Sequence, residues 1–165
     1  MSVEENGESG DTGQESPREE FDAGAFQRGV IAEFRANGGK VGGMFEGARL
    51  LLLTTTGARS GEPRTNPLGK VEVEGRTVVV GSMFGAPKHP DWFHNIRKNP
   101  KVTVEVGTET YEAVATVPQG GERDRLFEKV VEVAPGYGEY QAKTTRVIPV
   151  VVLERVGPGS APAGS

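Results

Sequence analysis

Apolar residues fall into short runs along this chain, and their period changes from helical to strand-like and back. Between Phe26 and Asn37, the residues Phe26, Val30, Ile31 and Phe34 share one face, and the pattern stops at Gly38-Gly39. That spacing predicts an amphipathic helix. Short apolar or alternating runs then predict strands over Ala48–Thr56, Thr65–Val73, Arg76–Ser82, Val102–Val106, Thr110–Val117 and Val147–Val156. Glu74-Gly75 and Gly107-Thr108 are tight-turn signals, so the strands they join should pair antiparallel. A second helix is expected over Asp91–Lys98, opened by Pro90 and stopped by Asn99-Pro100. A third, over Glu122–Val133, turns Leu126, Phe127, Val130 and Val131 inward and ends at Pro135-Gly136. Six short, mainly antiparallel strands with helices inserted between them predict an α+β barrel in one domain.

The ends differ from this body. Residues 1–20 carry seven acidic groups against Arg18, a net −6 in a chain whose total is −4, so the remainder is +2. A charged segment with little to bury should stay unfolded, as should the Gly/Pro/Ala/Ser stretch from Gly157 to Ser165. The folded domain is therefore expected over residues 21–156. Its mild basicity suits an anionic small molecule and falls short of a nucleic-acid footprint. There is no cysteine, which removes disulfides and thiolate metal sites and suits a reducing cytosol. The start of the chain lacks a basic region followed by an apolar run, so no signal peptide is expected. The longest apolar stretch, Leu50 to Leu53, is too short to span a bilayer.

Candidate chemistry concentrates in three places. The run Leu50 to Leu68 leads through Thr54-Thr55-Thr56 into Gly57 and exposes Arg59, Ser60 and Arg64 before the next strand. Backbone N–H groups of a glycine turn, hydroxyls and two guanidiniums together can grip phosphate or carboxylate. Read blandly, the same segment is a hairpin with solvated arginines. The second place, Gly81 to Pro100, sets Lys88 and His89 before a helix N-terminus, where anions are favoured. There Trp92, Phe93 and Ile96 also read as core. The third place is Tyr137-Gly138-Glu139-Tyr140-Gln141, in which a short helical turn would put both tyrosines on one side. His89 and His94, five apart, do not make a zinc pair. Nucleophile-elbow, Walker and dinucleotide-binding motifs are all missing from the sequence.

These three segments agree in type, order and spacing, and over about Phe26 to Val156 the chain closely resembles the deazaflavin-dependent nitroreductase family. These are actinobacterial oxidoreductases using coenzyme F420, here of the quinone reductase type. The resemblance implies a split β-barrel, similar to FMN-binding split barrels. It also implies transfer of a hydride from the reduced deazaflavin to a quinone or another electron-poor, nitro-aromatic-like acceptor. Carried over residue by residue, it assigns Arg59, Ser60 and Arg64, with Thr56 and Gly57, to the phosphate and acidic tail of the coenzyme. Asn66 and Pro67 would line the ring edge. Ser82, Met83, Lys88, Pro90, Asp91 and Trp92 would shape the groove, and Tyr137 and Tyr140, with Ser82, would act on the acceptor. No metal is implied. The acceptor is expected to be menaquinone-like and the protein a cytoplasmic monomer or homodimer, with peripheral membrane contact left open.

The chain departs from the pattern at three positions. Ala58 stands where members often carry a basic residue, Met83 where they carry lysine, and Ala134 where they carry a further tyrosine. The last change opens the acceptor pocket and removes a hydroxyl. Two other readings stay open at this point. One is a split-barrel protein for FMN, heme or a fatty acid, and the other is a non-catalytic interaction protein using the acidic tail. Each residue also has a structural reading: Asn66-Pro67 as a strand irregularity, Asp91 as a helix-start acid, the tyrosines as lid packing.

Overall fold

The computed structural model describes residues 23–42 and 49–156. Both predicted tails, and the predicted strand start at Ala48, lie outside these residues. The chain divides into two units, Met1–Val30 and Ile31–Ser165, the division falling inside the first helix. The order of elements is α1 (Ala23–Ala36), β1 (Leu50–Thr56), β2 (Pro63–Gly69), β3 (Val71–Val73), β4 (Arg76–Val80), α2 (Asp91–Lys98), β5 (Lys101–Val106), β6 (Glu109–Thr116), α3 (Gly120–Val133), α4 (Gly136–Ala142) and β7 (Val150–Val156). One turn of 3-10 helix, Met83–Gly85, lies between β4 and α2.

All seven strands form one antiparallel sheet in the order β2-β1-β5-β6-β7-β4-β3. The first and last strands of that order are consecutive in the chain and are separated only by Lys70. The two edges of the sheet are therefore tied together, and the sheet curls into a split barrel. Here the structure corrects the expected single strand Thr65–Val73. At Lys70 the chain changes partners, from Gly69 opposite Leu50 to Val71 opposite Val78, and Lys70 N–H donates to the Arg49 carbonyl at 3.0 Å. The six expected strands are thus seven. Val147–Pro149 and Gly81-Ser82 fall outside the strands predicted to contain them. The predicted turns are present. Glu74 and Gly75 both have positive φ, the type I′ geometry that matches strand twist, and Gly107 alone is positive in the β5–β6 turn.

Period-2 alternation divides the buried residues into two clusters, one on each face of the sheet. Leu51, Leu53, Val79, Val102, Val104, Val151 and Leu153 pack with Trp92, Phe93 and Ile96 of α2. Val71, Val73, Val78, Val80, Val150 and Val152 pack with Leu126, Phe127 and Val130 of α3. Because β4 and β7 are covered on both faces, their cores read as unbroken valine runs rather than as alternation. β2 carries Pro63 and Pro67, which an edge strand tolerates because a missing N–H there breaks no ladder to a further strand.

The α1 helix ends as the sequence predicts. Gly38 and Gly39 have φ of +65° and +94°, and Gly39 N–H donates back to the Phe34 carbonyl at 2.8 Å. A Cβ on Gly39 would stand 2.7 Å from the Gly107 Cα, so this helix end is fitted to the β5–β6 turn backbone to backbone. Arg35 closes the contact with two bonds to the Glu105 carboxylate, at 3.0 and 2.7 Å. Gly39→Ala should therefore cost well over the ~1 kcal/mol expected for an L residue forced into left-handed backbone. Gly61→Ala, at φ +74° with open space around it, should cost only about that amount. Urea denaturation of the two variants checks the difference.

Candidate functional site

The β1–β2 hairpin ends in the turn Gly57–Glu62, closed by Gly57 N–H to the Glu62 carbonyl at 2.8 Å and Gly61 N–H to the Gly57 carbonyl at 2.9 Å. The Ser60 hydroxyl accepts from Glu62 N–H at 3.0 Å. The turn is tight at Gly57. A Cβ would lie 2.6 Å from Ser60 Oγ, and Arg64 Nε passes 3.7 Å away. The α2 helix holds the turn from below. Asn95, 7% exposed, accepts from Ala58 N–H at 2.9 Å and donates to the Thr55 hydroxyl at 2.9 Å. Lys98 donates to the Ala58 carbonyl at 2.9 Å. Arg59 and Arg64 are left exposed, and among the described residues neither makes an ion pair or a side-chain hydrogen bond. Two uncompensated guanidiniums over a fixed backbone turn fit an anionic group.

The far end of β2 leads to the second cluster. Between Arg64 and Gly69 the strand advances about 17 Å. A Cβ on Gly69 would sit 3.1 Å from the Tyr137 hydroxyl, so the missing side chain makes room for that phenol at the barrel seam. Tyr137 and Tyr140 on α4 stand edge to face, with ring centroids 5.9 Å apart. Burial, with Tyr140 adding to it, pushes the Tyr137 phenol above its ordinary value, so it keeps its proton at neutral pH and can donate. Gln141 fixes α4 to the segment before β7. Its amide donates to the Arg146 carbonyl at 2.7 Å and accepts from Ile148 N–H at 3.0 Å and from Arg123 at 2.8 Å.

Arg146 organises the remaining loop, Gly81–His89. Its guanidinium donates to the carbonyls of Gly81 at 3.1 Å, Ser82 at 2.8 Å and Ala86 at 2.8 Å, and to His89 Nδ1 at 2.9 Å. This collar encloses Met83 and Phe84, which both have positive φ, 44° and 57°, at a cost of order 1–3 kcal/mol each. Ser82 is buried, and its hydroxyl has no hydrogen-bond partner among the described residues, an orphaned donor available to an incoming group.

The residues singled out from sequence are thus spread over two clusters. Thr56, Gly57, Arg59, Ser60 and Arg64 come together at the hairpin turn. The turn that follows Ser82, Met83–Gly85, meets α4, which carries Tyr137 and Tyr140, at Gly85, where an added Cβ would lie 2.8 Å from the Tyr140 carbonyl. Asn66 and Pro67 project to opposite faces of β2, opposite Leu53 and Leu52 respectively. Pro90 is buried, and Trp92, 5% exposed, belongs to the core beneath α2. Lys88 and Asp91 are exposed at the start of α2. Sequence reasoning missed Asn95, Lys98, Arg123 and Arg146. The signal for Asn95 was a polar residue within the apolar stripe of α2. For Arg146 it was a charge at the head of the apolar run Val147 to Leu153.

Because Arg146 donates to Nδ1, His89 must be neutral with its proton on Nε2. Burial, then the positive charge of Arg146, holds its pKa below 6.5. In the unfolded chain His89 regains its ordinary value and binds a proton more readily. The neutral contact therefore contributes fully above pH 6.5 and is lost as the pH falls below it. Stability measured by chemical denaturation should decline from pH 7.5 to 5.5 in the native chain, and His89→Phe should remove most of that slope.

The family model of the F420H(2)-dependent quinone reductases matches residues 26–155. The F420H(2)-dependent quinone reductase of Mycobacterium tuberculosis is 39% identical over 128 residues, 75% of this chain and 86% of the relative. A solved F420-H2 dependent reductase superposes with a TM-score of 0.58 at 43% identity, covering 64% of this chain and 94% of that one. A structure described as a domain-swapped dimer superposes at 0.61 and 36% identity, covering 81% of this chain and all of that one. The match extends over both clusters and the whole barrel, so the chain belongs to the F420H(2)-dependent quinone reductase family, oxidoreductases whose cofactor is coenzyme F420 and whose acceptor is a quinone.

Proposed function

We propose that the two clusters at the ends of β2 divide the work of this reductase. The turn holds the coenzyme's anionic tail, and the α4 end receives the acceptor. The observation that carries this reading is the placement of two exposed arginines, without an ion pair among the described residues, at the turn end of β2, and of a pair of edge-to-face tyrosines at its other end, the strand advancing about 17 Å from Arg64 to Gly69. Arg59, Arg64 and Ser60, with the backbone of Thr56 and Gly57, would bind phosphate and carboxylate. Asn66, Pro67, Ser82, Met83, Lys88, Pro90, Asp91 and Trp92 would frame the deazaflavin, Trp92 and Pro90 from beneath as packed support. When bound, the coenzyme supplies the hydride. The chain supplies orientation, exclusion of water and a proton donor. The protonated Tyr137 phenol, the Tyr140 hydroxyl and the Ser82 hydroxyl would stabilise negative charge on a quinone oxygen.

Within the quinones, a menaquinone-like acceptor suits the aromatic pair and the small Ala134 beside it. No helix among the described residues is long and apolar enough to cross a membrane. We place the protein in the cytoplasm, reaching a membrane-borne quinone by peripheral contact. The solved relative described as a domain-swapped dimer supports a homodimer. The acidic N-terminal segment is proposed to serve partner contacts outside the barrel.

Two outcomes test the division. A hydrogen bond to a charged group contributes about 1.5–3 kcal/mol, so Arg59→Ala and Arg64→Ala should each weaken F420 binding roughly tenfold to a hundredfold without lowering the melting temperature. Fluorescence titration with F420, against FMN as control, reads this directly. A preference for FMN would replace the coenzyme assignment for this chain. Tyr140→Phe should lower turnover of a menaquinone analogue while leaving F420 affinity within about twofold. Steady-state kinetics with coenzyme binding measured separately distinguishes the two.

A further inference from the structure

Phe84 is 76% exposed, the most exposed large apolar side chain among the described residues, and yet it has an aromatic neighbour. Its ring stands edge-on to Tyr140 at 5.6 Å between centroids, and Tyr140 stands edge-on to Tyr137 at 5.9 Å. Three rings therefore run in a row from solvent to the barrel seam at Gly69. The backbone that presents Phe84 is left-handed at Met83, Phe84 and Gly85 in succession, with φ of 44°, 57° and 85°. Residues other than glycine seldom adopt such a conformation, and bulky ones least of all. It persists because Gly85 N–H bonds the Ser82 carbonyl at 2.8 Å, Ala86 N–H bonds the Met83 carbonyl at 3.0 Å, and Arg146 grips the carbonyls on either side. Gly85 itself leaves no room for a side chain against Tyr140 and Lys143. A solvated loop has no use for this arrangement, since glycine would relieve the strain and a polar residue would suit the exposure. Strain stored around an exposed aromatic ring beside an active site is accounted for by a ligand that covers the ring.

We propose that Phe84 is an acceptor-contacting residue that determines specificity for planar, fused-ring quinones. The inference rests on the assignment of Tyr137 and Tyr140 to the acceptor. The row Phe84–Tyr140 is wide enough to receive a bicyclic ring system, whose faces and edges complement the exposed edges of both side chains. A single-ring quinone covers less of the pair and draws less of its binding from Phe84. Lys143, its Nζ 5.8 Å from the centre of the Tyr140 ring, adds positive charge beside the pair, favourable to an electron-rich carbonyl oxygen.

The probe is menadione, a soluble naphthoquinone, titrated calorimetrically into the native chain and into Phe84→Ala and Phe84→Trp, with benzoquinone as the single-ring control. We expect Phe84→Ala to weaken menadione binding about tenfold, benzoquinone binding to change less than about twofold, and Phe84→Trp to restore menadione affinity to within about threefold. In steady state with reduced F420, the alanine variant should raise KM for menadione, with kcat and coenzyme affinity held. Equal menadione affinity in the native and alanine chains, or no menadione binding by the native chain, overturns the proposal. So does an alanine variant that loses only its association with lipid vesicles, which would make Phe84 a membrane contact. If menadione affinity depends on Phe84 but the protein neither binds F420 nor turns over, the coenzyme assignment fails and the ring site stands.

Discussion

One covalent constraint governs this fold: the two edges of the sheet are joined through a single residue. β2 and β3 end the strand order on opposite sides, and Lys70 alone separates them in the chain. A flat sheet of seven strands would hold its edges tens of ångströms apart, since neighbours are spaced about 4.8 Å. The sheet has to curl until Gly69 and Val71 are adjacent. Curling creates one face that α2 fills and another that α3 covers, and it decides which valines of β4 and β7 meet which helix. It also brings the far end of β2 to the seam, where the absent side chain of Gly69 admits the Tyr137 hydroxyl.

On this barrel the irregular segments are held by polar side chains rather than by apolar burial. Asn95 and Lys98 take up the N–H and the carbonyl of Ala58, and Arg146 takes up three carbonyls of the Gly81–His89 loop. Gln141 and Arg123 do the same for the approach to β7, where Arg123 also stacks 4.3 Å over the Phe127 ring. Backbone groups that leave the ladder near the core must find partners, and each failure costs about 1–3 kcal/mol. Long, polar-tipped side chains reach those groups without adding another element of secondary structure. Arg59 and Arg64 stay exposed and without an ion pair among the described residues because others do the anchoring.

The architecture was largely legible in the sequence, because helix periodicity, glycine turns and valine runs are local signals. The helices over Asp91–Lys98 and at Glu122–Val133, the turns at Glu74-Gly75 and Gly107-Thr108, and an α+β barrel were all readable, while the split-barrel class came with the family resemblance. The partner exchange at Lys70 was not. Nothing in the run Thr65–Val73 marks the residue at which a strand leaves one neighbour for another, since the exchange is a property of the closed sheet. The same holds for the site. Arg59, Arg64, Tyr137 and Tyr140 were visible as chemistry beside turn signals. The carbonyls that Arg146 binds are 60 to 65 residues away in sequence, and Asn95 lies 40 from Thr55, so their roles depend on tertiary placement. The left-handed conformation of Met83 and Phe84 contradicts local preference, and only the surrounding bonds account for it.

The anchoring of the two ends of β2 is separate. Among the described residues, Asn95 and Lys98 make their side-chain hydrogen bonds to the basic turn and its strand, whereas Arg146 and Gln141 make theirs at the aromatic end. A substitution at Asn95 or Lys98 therefore removes no hydrogen bond from the aromatic end, nor one at Gln141 or Arg146 from the turn. On the proposed division of labour, the acceptor wall can drift in evolution, exchanging a tyrosine for Ala134 or raising a Phe84, while the arginine turn goes on serving the same coenzyme. A lineage built on this scaffold can multiply into paralogues of different substrate range without ever rebuilding the machinery that holds its reductant.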